Sequence, residues 1–176
     1  RHEVARRAVE AAMPGSDRRA INGNVLTALR KVASVPAARL VHHARQARSF
    51  ALLRELAPPA ALEASALGSH REAADMLAAV IEDQEGQHIP ERHDLLLRLA
   101  IEHYLLGRTG AALECLEEAR IGFAGTGEIL KQGDCLRWIS RLSYLDGNRV
   151  SAEQHAIAAV DLLAAQPGPE LAMALS

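Results

Sequence analysis

The chain has 176 residues, 49% of them apolar but only 3% aromatic, so it can bury a sizeable core only by packing Ala and Leu closely. Good helix formers dominate, and no run alternates apolar and polar residues as a half-buried strand would, which places the chain in the all-α class. No apolar run approaches the ~20 residues of a membrane span. Two cysteines, Cys115 and Cys135, do not make a disulfide framework and point to a reduced, cytoplasmic setting.

The formal charge of −2 hides an asymmetry. Residues 1–50 carry ten Lys/Arg against three acids, +7, which leaves −9 for the rest. The two parts read as separate units, 1–48 and 49–176. In chain order, a helix is expected over 2–13, stopping at Pro14-Gly15. Ser16 is expected to cap a second helix running to about Ala33, with Ile21, Val25, Leu26, Leu29 and Val32 as its apolar face. Val35-Pro36 breaks it. A short helix over 37–48 turns Leu40, Val41 and Ala44 inward, Ser49 is placed to cap the next, and Pro58-Pro59 is expected to kink or interrupt that one. Regular helices then follow over 59–67, 70–85, 90–106, 109–124, 128–146 and 149–165.

A repeat orders this second part. Gly68, Gly107 and Gly147 each close a helix, at spacings of 39 and 40 residues. Ala73, Ala112 and Ala152 stand five residues after them, and Ala61, Ala100 and Ser140 seven before. Val80, Ala119 and Ala159 follow at twelve. These offsets resemble the tetratricopeptide pattern, in which small residues sit where the two helices of a hairpin cross closely. The expected fold is therefore an α–α superhelix of about three hairpins, with the helix starting at Pro169 opening a truncated fourth. The third repeat departs from the pattern at Ser143, where an aromatic is common, and at Ala156. Both ends of the chain read as cuts.

The run RHEVARRAVEAAMPGSDRRAINGNVLTAL resembles the end of the winged-helix part of a bacterial AAA/STAND-type ATPase module. PAARLVHHARQA and ALEASALGSHREAADML resemble the junction behind it. EHYLLGRTGAALECLEEARIGF, GDCLRWISRLSYLDGNRVSAEQHAIAAVDLL and PGPELAMALS are similar to the helical repeats that follow. Together they resemble the middle of large LuxR-family transcriptional regulators with an N-terminal ATPase and a C-terminal helix-turn-helix. ATPase–repeat proteins with cyclase domains share this middle. The resemblance implies a relay from nucleotide or inducer state to DNA, with ATP and DNA bound by domains outside this chain. It also implies a nucleotide-sensing role for His2 in the parent protein, where Glu3 and Val4 depart from the usual triplet.

Within the chain itself no phosphate loop, nucleophile–base pair or zinc motif is present, so no catalytic residue, cofactor or metal is assigned. His42 and His43 point ~100° apart on a helix and cannot chelate one metal well, and His88 and His93 flank Pro90 in a turn. The basic first segment reads as a solvated or docking face rather than a DNA contact. The best candidate site is the concave face lined by the first helix of each hairpin. Its register positions are Asp94, Leu97, Ile101 and Tyr104 in the middle repeat and Asp134, Arg137, Arg141 and Tyr144 in the third. Arg137 and Arg141 lie one turn apart and can reach one anion, or pair with acids inside the array. The expected partner is an acidic peptide or helix, an inducer or the parent's own domains, with self-association at an open C-terminal edge.

Overall fold

A computed structural model describes residues 13–82 and 91–176. The expected helix over 2–13, His2, His88 and Pro90 fall wholly or mainly outside the described residues. The described residues form nine helices and no strand: α1 Gly15–Leu29, α2 Ala37–Gln46, α3 Phe50–Ala66, α4 His70–Ile81, α5 Arg92–Leu105, α6 Thr109–Thr126, α7 Ile129–Leu145, α8 Arg149–Leu163 and α9 Pro169–Ala174. Each of α1 to α8 packs chiefly on its neighbours in the chain, and α9 lies against α7 and α8. The helices α3–α4, α5–α6 and α7–α8 are the three hairpins.

The turns are set by one backbone device. After α3 the amide of Ser69 donates to the carbonyl of Ala64 and that of Gly68 to Ser65, the paired bonds of a Schellman motif. The same pair recurs from Arg108 and Gly107 to His103 and Tyr104, and from Asn148 and Gly147 to Ser143 and Tyr144. The motif needs a left-handed residue, and the three glycines supply it at φ 76°, 70° and 80°. α2 ends the same way, but with Arg48 at φ 51° in the glycine position. A side chain there costs about 1–2 kcal/mol. Arg48→Gly should therefore raise stability by roughly 1 kcal/mol, read as a higher urea midpoint with an unchanged slope.

The small residues of the repeat sit at the helix crossings. Ala61, Ala73, Val80, Ala100, Ala112, Ala119, Ala152 and Ala159 are all buried. Ser140, in the ninth such position, uses the close approach to donate from Oγ to the Ala152 carbonyl at 2.8 Å. One continuous core runs from Leu26 and Val41 through Leu77 and Leu116 to Leu142.

Three local expectations are corrected. α3 is not interrupted at Pro58-Pro59, and it begins at Phe50 rather than 59. Two prolines withhold amides from the carbonyls one turn earlier, yet Leu53, Ala57, Ala60, Ala61 and Ala64 bury one face along the whole helix. Arg98 of α5 also donates to the Pro58 carbonyl at 2.9 Å. Ser16 does not cap α1: the helix starts at Gly15 and the Ser16 hydroxyl donates to Asp17 instead. Of the apolar face expected for α1, only Leu26 is buried, while Ile21 and Val32 are exposed. Ser49 does stand at the cap position of α3, but its side chain makes no capping bond.

Candidate functional site

The first helices of successive hairpins meet through side chains of the expected face. Lys131 of α7 donates to both carboxylate oxygens of Asp94 on α5, at 2.8 and 3.0 Å, and also reaches Glu128 at 2.7 Å. These bonds, Asp94 first, push the Lys131 ammonium up from its usual value, and they hold the Glu128 carboxyl below its own. One turn or more along, the ring of Tyr104 packs on Trp138 with centroids 5.5 Å apart. Leu97 also packs on the core from this helix, and Ile101 is half-buried.

Trp138 organises the site, and the register alone does not single it out. The guanidinium carbons of Arg137 and Arg141 lie over its ring at 5.0 and 5.8 Å from the centroid, within the ~6 Å over which a cation is attracted to a π-face. The two arginines are not equivalent. Arg137 is also bound by Asp134, through Nε at 3.0 Å and Nη2 at 2.7 Å. Arg141 is exposed and makes no ion pair among the described residues. Of the two tyrosines that share a register position, Tyr104 is covered by Trp138 whereas Tyr144 is 63% exposed. The structure thus joins Asp94, Tyr104, Asp134, Arg137 and Arg141 around Lys131 and Trp138, and leaves Tyr144 open.

Neither cysteine thiol is activated. Burial is the main cause that pushes the Cys115 thiol up to about 11 and the Cys135 thiol up to about 12, so neither is a thiolate near neutral pH. No three His, Cys, Asp or Glu side chains among the described residues converge as a metal site. Elsewhere on α5, Glu102 is buried and its carboxylate meets His70 Nδ1 at 2.9 Å.

Packing makes two imidazoles harder to protonate. His43 is lowered from 6.5 by burial first, then by His42 and Arg39, and its Nδ1 meets Asn22 Oδ1 at 2.8 Å. His103 is lowered by burial first and by Arg108, against an opposing pull from Asp75. A lowered folded value means the unfolded chain takes up protons more readily. Stability from these groups is complete above 6.5, is lost as pH falls below it and levels off under the folded values. The urea midpoint should therefore drop as pH falls through and below 6.5. The double variant His43→Gln, His103→Leu should flatten that drop.

No protein-family model and no curated protein matches the sequence. Solved structures do. A Podosopora anserina putative kinesin light chain with nearly identical TPR-like repeats superposes with TM-score 0.55 at 17% identity over 95% of each chain. A point variant of it gives 0.54 at 17% identity over 93% of each. At that identity the likeness establishes the fold alone: the chain is an all-α array of TPR-like helical hairpins. Such arrays generally hold protein or peptide partners. Among the described residues no helix is long and apolar enough to cross a membrane.

Proposed function

We propose that this chain is a non-catalytic protein-interaction region whose α5–α7 face takes an acidic peptide or helix. The observation that carries the reading is Arg141, an exposed guanidinium held over an aromatic face with no acid of its own. Trp and Arg are among the side chains that most often anchor interfaces, and Tyr104 packs on the tryptophan ring. Trp138 is the sole tryptophan, so its emission reports on this site directly. Titration with a short polyglutamate peptide should shift that emission saturably, and Arg141→Ala should weaken binding about tenfold. Binding that leaves the emission unchanged, or that is equally tight in Arg141→Ala, sinks the assignment.

The finer reading rests on the six runs that resemble the middle of LuxR-type ATPase regulators. In that setting partner binding on the repeats is relayed to a DNA-binding domain outside this chain, ATP is bound by another such domain, and His2 senses the nucleotide there. A stand-alone scaffold with the same groove is the alternative. A phosphate loop upstream and a helix-turn-helix downstream in the complete gene select the regulator, and their absence selects the scaffold.

A further inference from the structure

A hollow of about 350 Å³ lies at the turn end of the third hairpin, lined by its helices α7 and α8 and by α6 of the middle hairpin. That size lies within the ~300–1,000 Å³ range of small-ligand sites. Leu113 of α6 and Ile139 of α7 supply its apolar surface. Its origin can be read from the preceding hairpin, forty residues earlier in register. Where that hairpin has His103, Leu106 and Cys115, this one has Ser143, Asp146 and His155. A ring has become a hydroxymethyl group, and two further positions have gained polar groups that line the space.

The lining is rich in acceptors. The Ser151 carbonyl can only accept, so His155 Nδ1, which also lies 3.2 Å from the Ser151 hydroxyl, donates to it at 2.7 Å, and in the neutral ring Nε2 is the nitrogen that can accept, with no partner among the described residues. The buried Ser143 hydroxyl and that of Ser151 engage each other at 3.1 Å. Glu117 is bound by Arg120 through both oxygens, at 2.9 and 2.5 Å, which holds its carboxyl below the usual range and balances its charge. Asp146 is exposed and has neither an ion pair nor a side-chain hydrogen bond among the described residues, so its charge is uncompensated. The positive end of α8 is answered separately by Asn148, whose Oδ1 accepts from the Ser151 amide at 3.1 Å.

A carboxylate with no counter-ion among the described residues, an imidazole nitrogen able to accept and an apolar wall define the complement. We propose that this hollow binds an alkylguanidinium or alkylammonium group, with the cation on Asp146 and His155 Nε2 and the stem on Leu113 and Ile139. The group belongs either to a free amine or to a basic side chain of a partner protein. This site is separate from the arginine–aromatic face and does not depend on it.

The test is a titration of the full 176-residue chain, followed by amide and imidazole NMR shifts, with agmatine, an Arg-containing tripeptide and an uncharged butanol control. Agmatine or the tripeptide should shift Ser151 and His155 saturably, and butanol should not. The tighter binder of the two identifies the source as a small amine or a protein side chain. Asp146→Asn, at an exposed position, should weaken binding about tenfold. Ser143→His, which copies the preceding hairpin, should abolish it while the helical circular dichroism is retained. Absence of shifts with both cations, butanol shifts equal to theirs, or wild-type affinity in Asp146→Asn would each overturn the proposal. If Ser143→His does not fold, Asp146→Asn and the butanol control still decide it.

Discussion

Phe123→Ala should destabilise the chain by ~3–5 kcal/mol, the range for emptying a buried aromatic site. Phe123 is fully buried on α6, and its ring meets side chains from two other helices, α5 and α7. His93 of α5 meets it edge-on at 5.7 Å, and the Lys131 ammonium of α7 lies 5.2 Å from its centroid. The residue therefore ties the middle hairpin internally and also couples it to the next. In a repeat array stability is approximately a sum of hairpin terms and nearest-neighbour terms. Against a total of ~5–15 kcal/mol, losing one of each should do more than lower the midpoint. Unfolding of Phe123→Ala should become broader than one two-state transition, with the third hairpin melting first. Circular dichroism follows all helices, whereas Trp138 emission follows only the α5–α7 face. Coincident midpoints from the two probes would count against the coupling role.

The parts of this molecule that were legible in the sequence are those fixed locally. A glycine in the left-handed turn and an alanine at a helix crossing are each demanded by backbone sterics within a few residues. Gly68, Gly107 and Gly147 and the alanines at fixed offsets therefore gave the hairpin register directly. The misreadings came from the opposite situation, where tertiary packing overrides a local rule. Pro58-Pro59 breaks isolated helices, but α3 is held by an alanine face against α4 and by Arg98 from a helix forty residues on. Ser16 has the chemistry of a cap, and Pro14 places the start of α1 one residue too early for it.

The site divides the same way. Helical spacing put Arg137 and Arg141 on one face, because residues one turn apart are neighbours whatever surrounds them. It could not show that Asp134 occupies Arg137 while Arg141 is left with Trp138, since that depends on rotamers. Nor could it show Tyr104 on Trp138, a contact across 34 residues that depends on how one hairpin is rotated on the next. The missing aromatic at Ser143 was visible as a departure from pattern. That it leaves a polar hollow needed the positions of Asp146 and His155 as well. Both candidate sites therefore lie where the repeat is bridged or broken, and the small residues that recur at fixed offsets serve packing.

Gly133→Ala should destabilise by roughly 1–3 kcal/mol, although exposed helical positions respond to the same change with a gain of about 1 kcal/mol. Gly133 is buried inside α7, and a Cβ there would lie 2.6 to 2.8 Å from three carbons of the Leu163 side chain. The ends of a leucine can usually swing aside. Leu163 cannot, because it is itself fully buried at the end of α8. The comparison at Gly122 separates the two effects. A Cβ there would come still closer, 2.1 Å from the His93 ring, but His93 is only half-buried and has solvent to turn into. Gly122→Ala should thus cost less than Gly133→Ala despite the shorter distance, its clash relieved by rotation and partly offset by helix propensity. A double-mutant cycle supplies the check. Leu163→Ala alone should cost ~2–5 kcal/mol by cavity formation. With Leu163→Ala already present, Gly133→Ala should become neutral or stabilising, a coupling of more than about 1 kcal/mol. Additive costs would mean that α7 and α8 can move apart freely at this end, and that the close approach seen at Gly133 does not hold the third hairpin together.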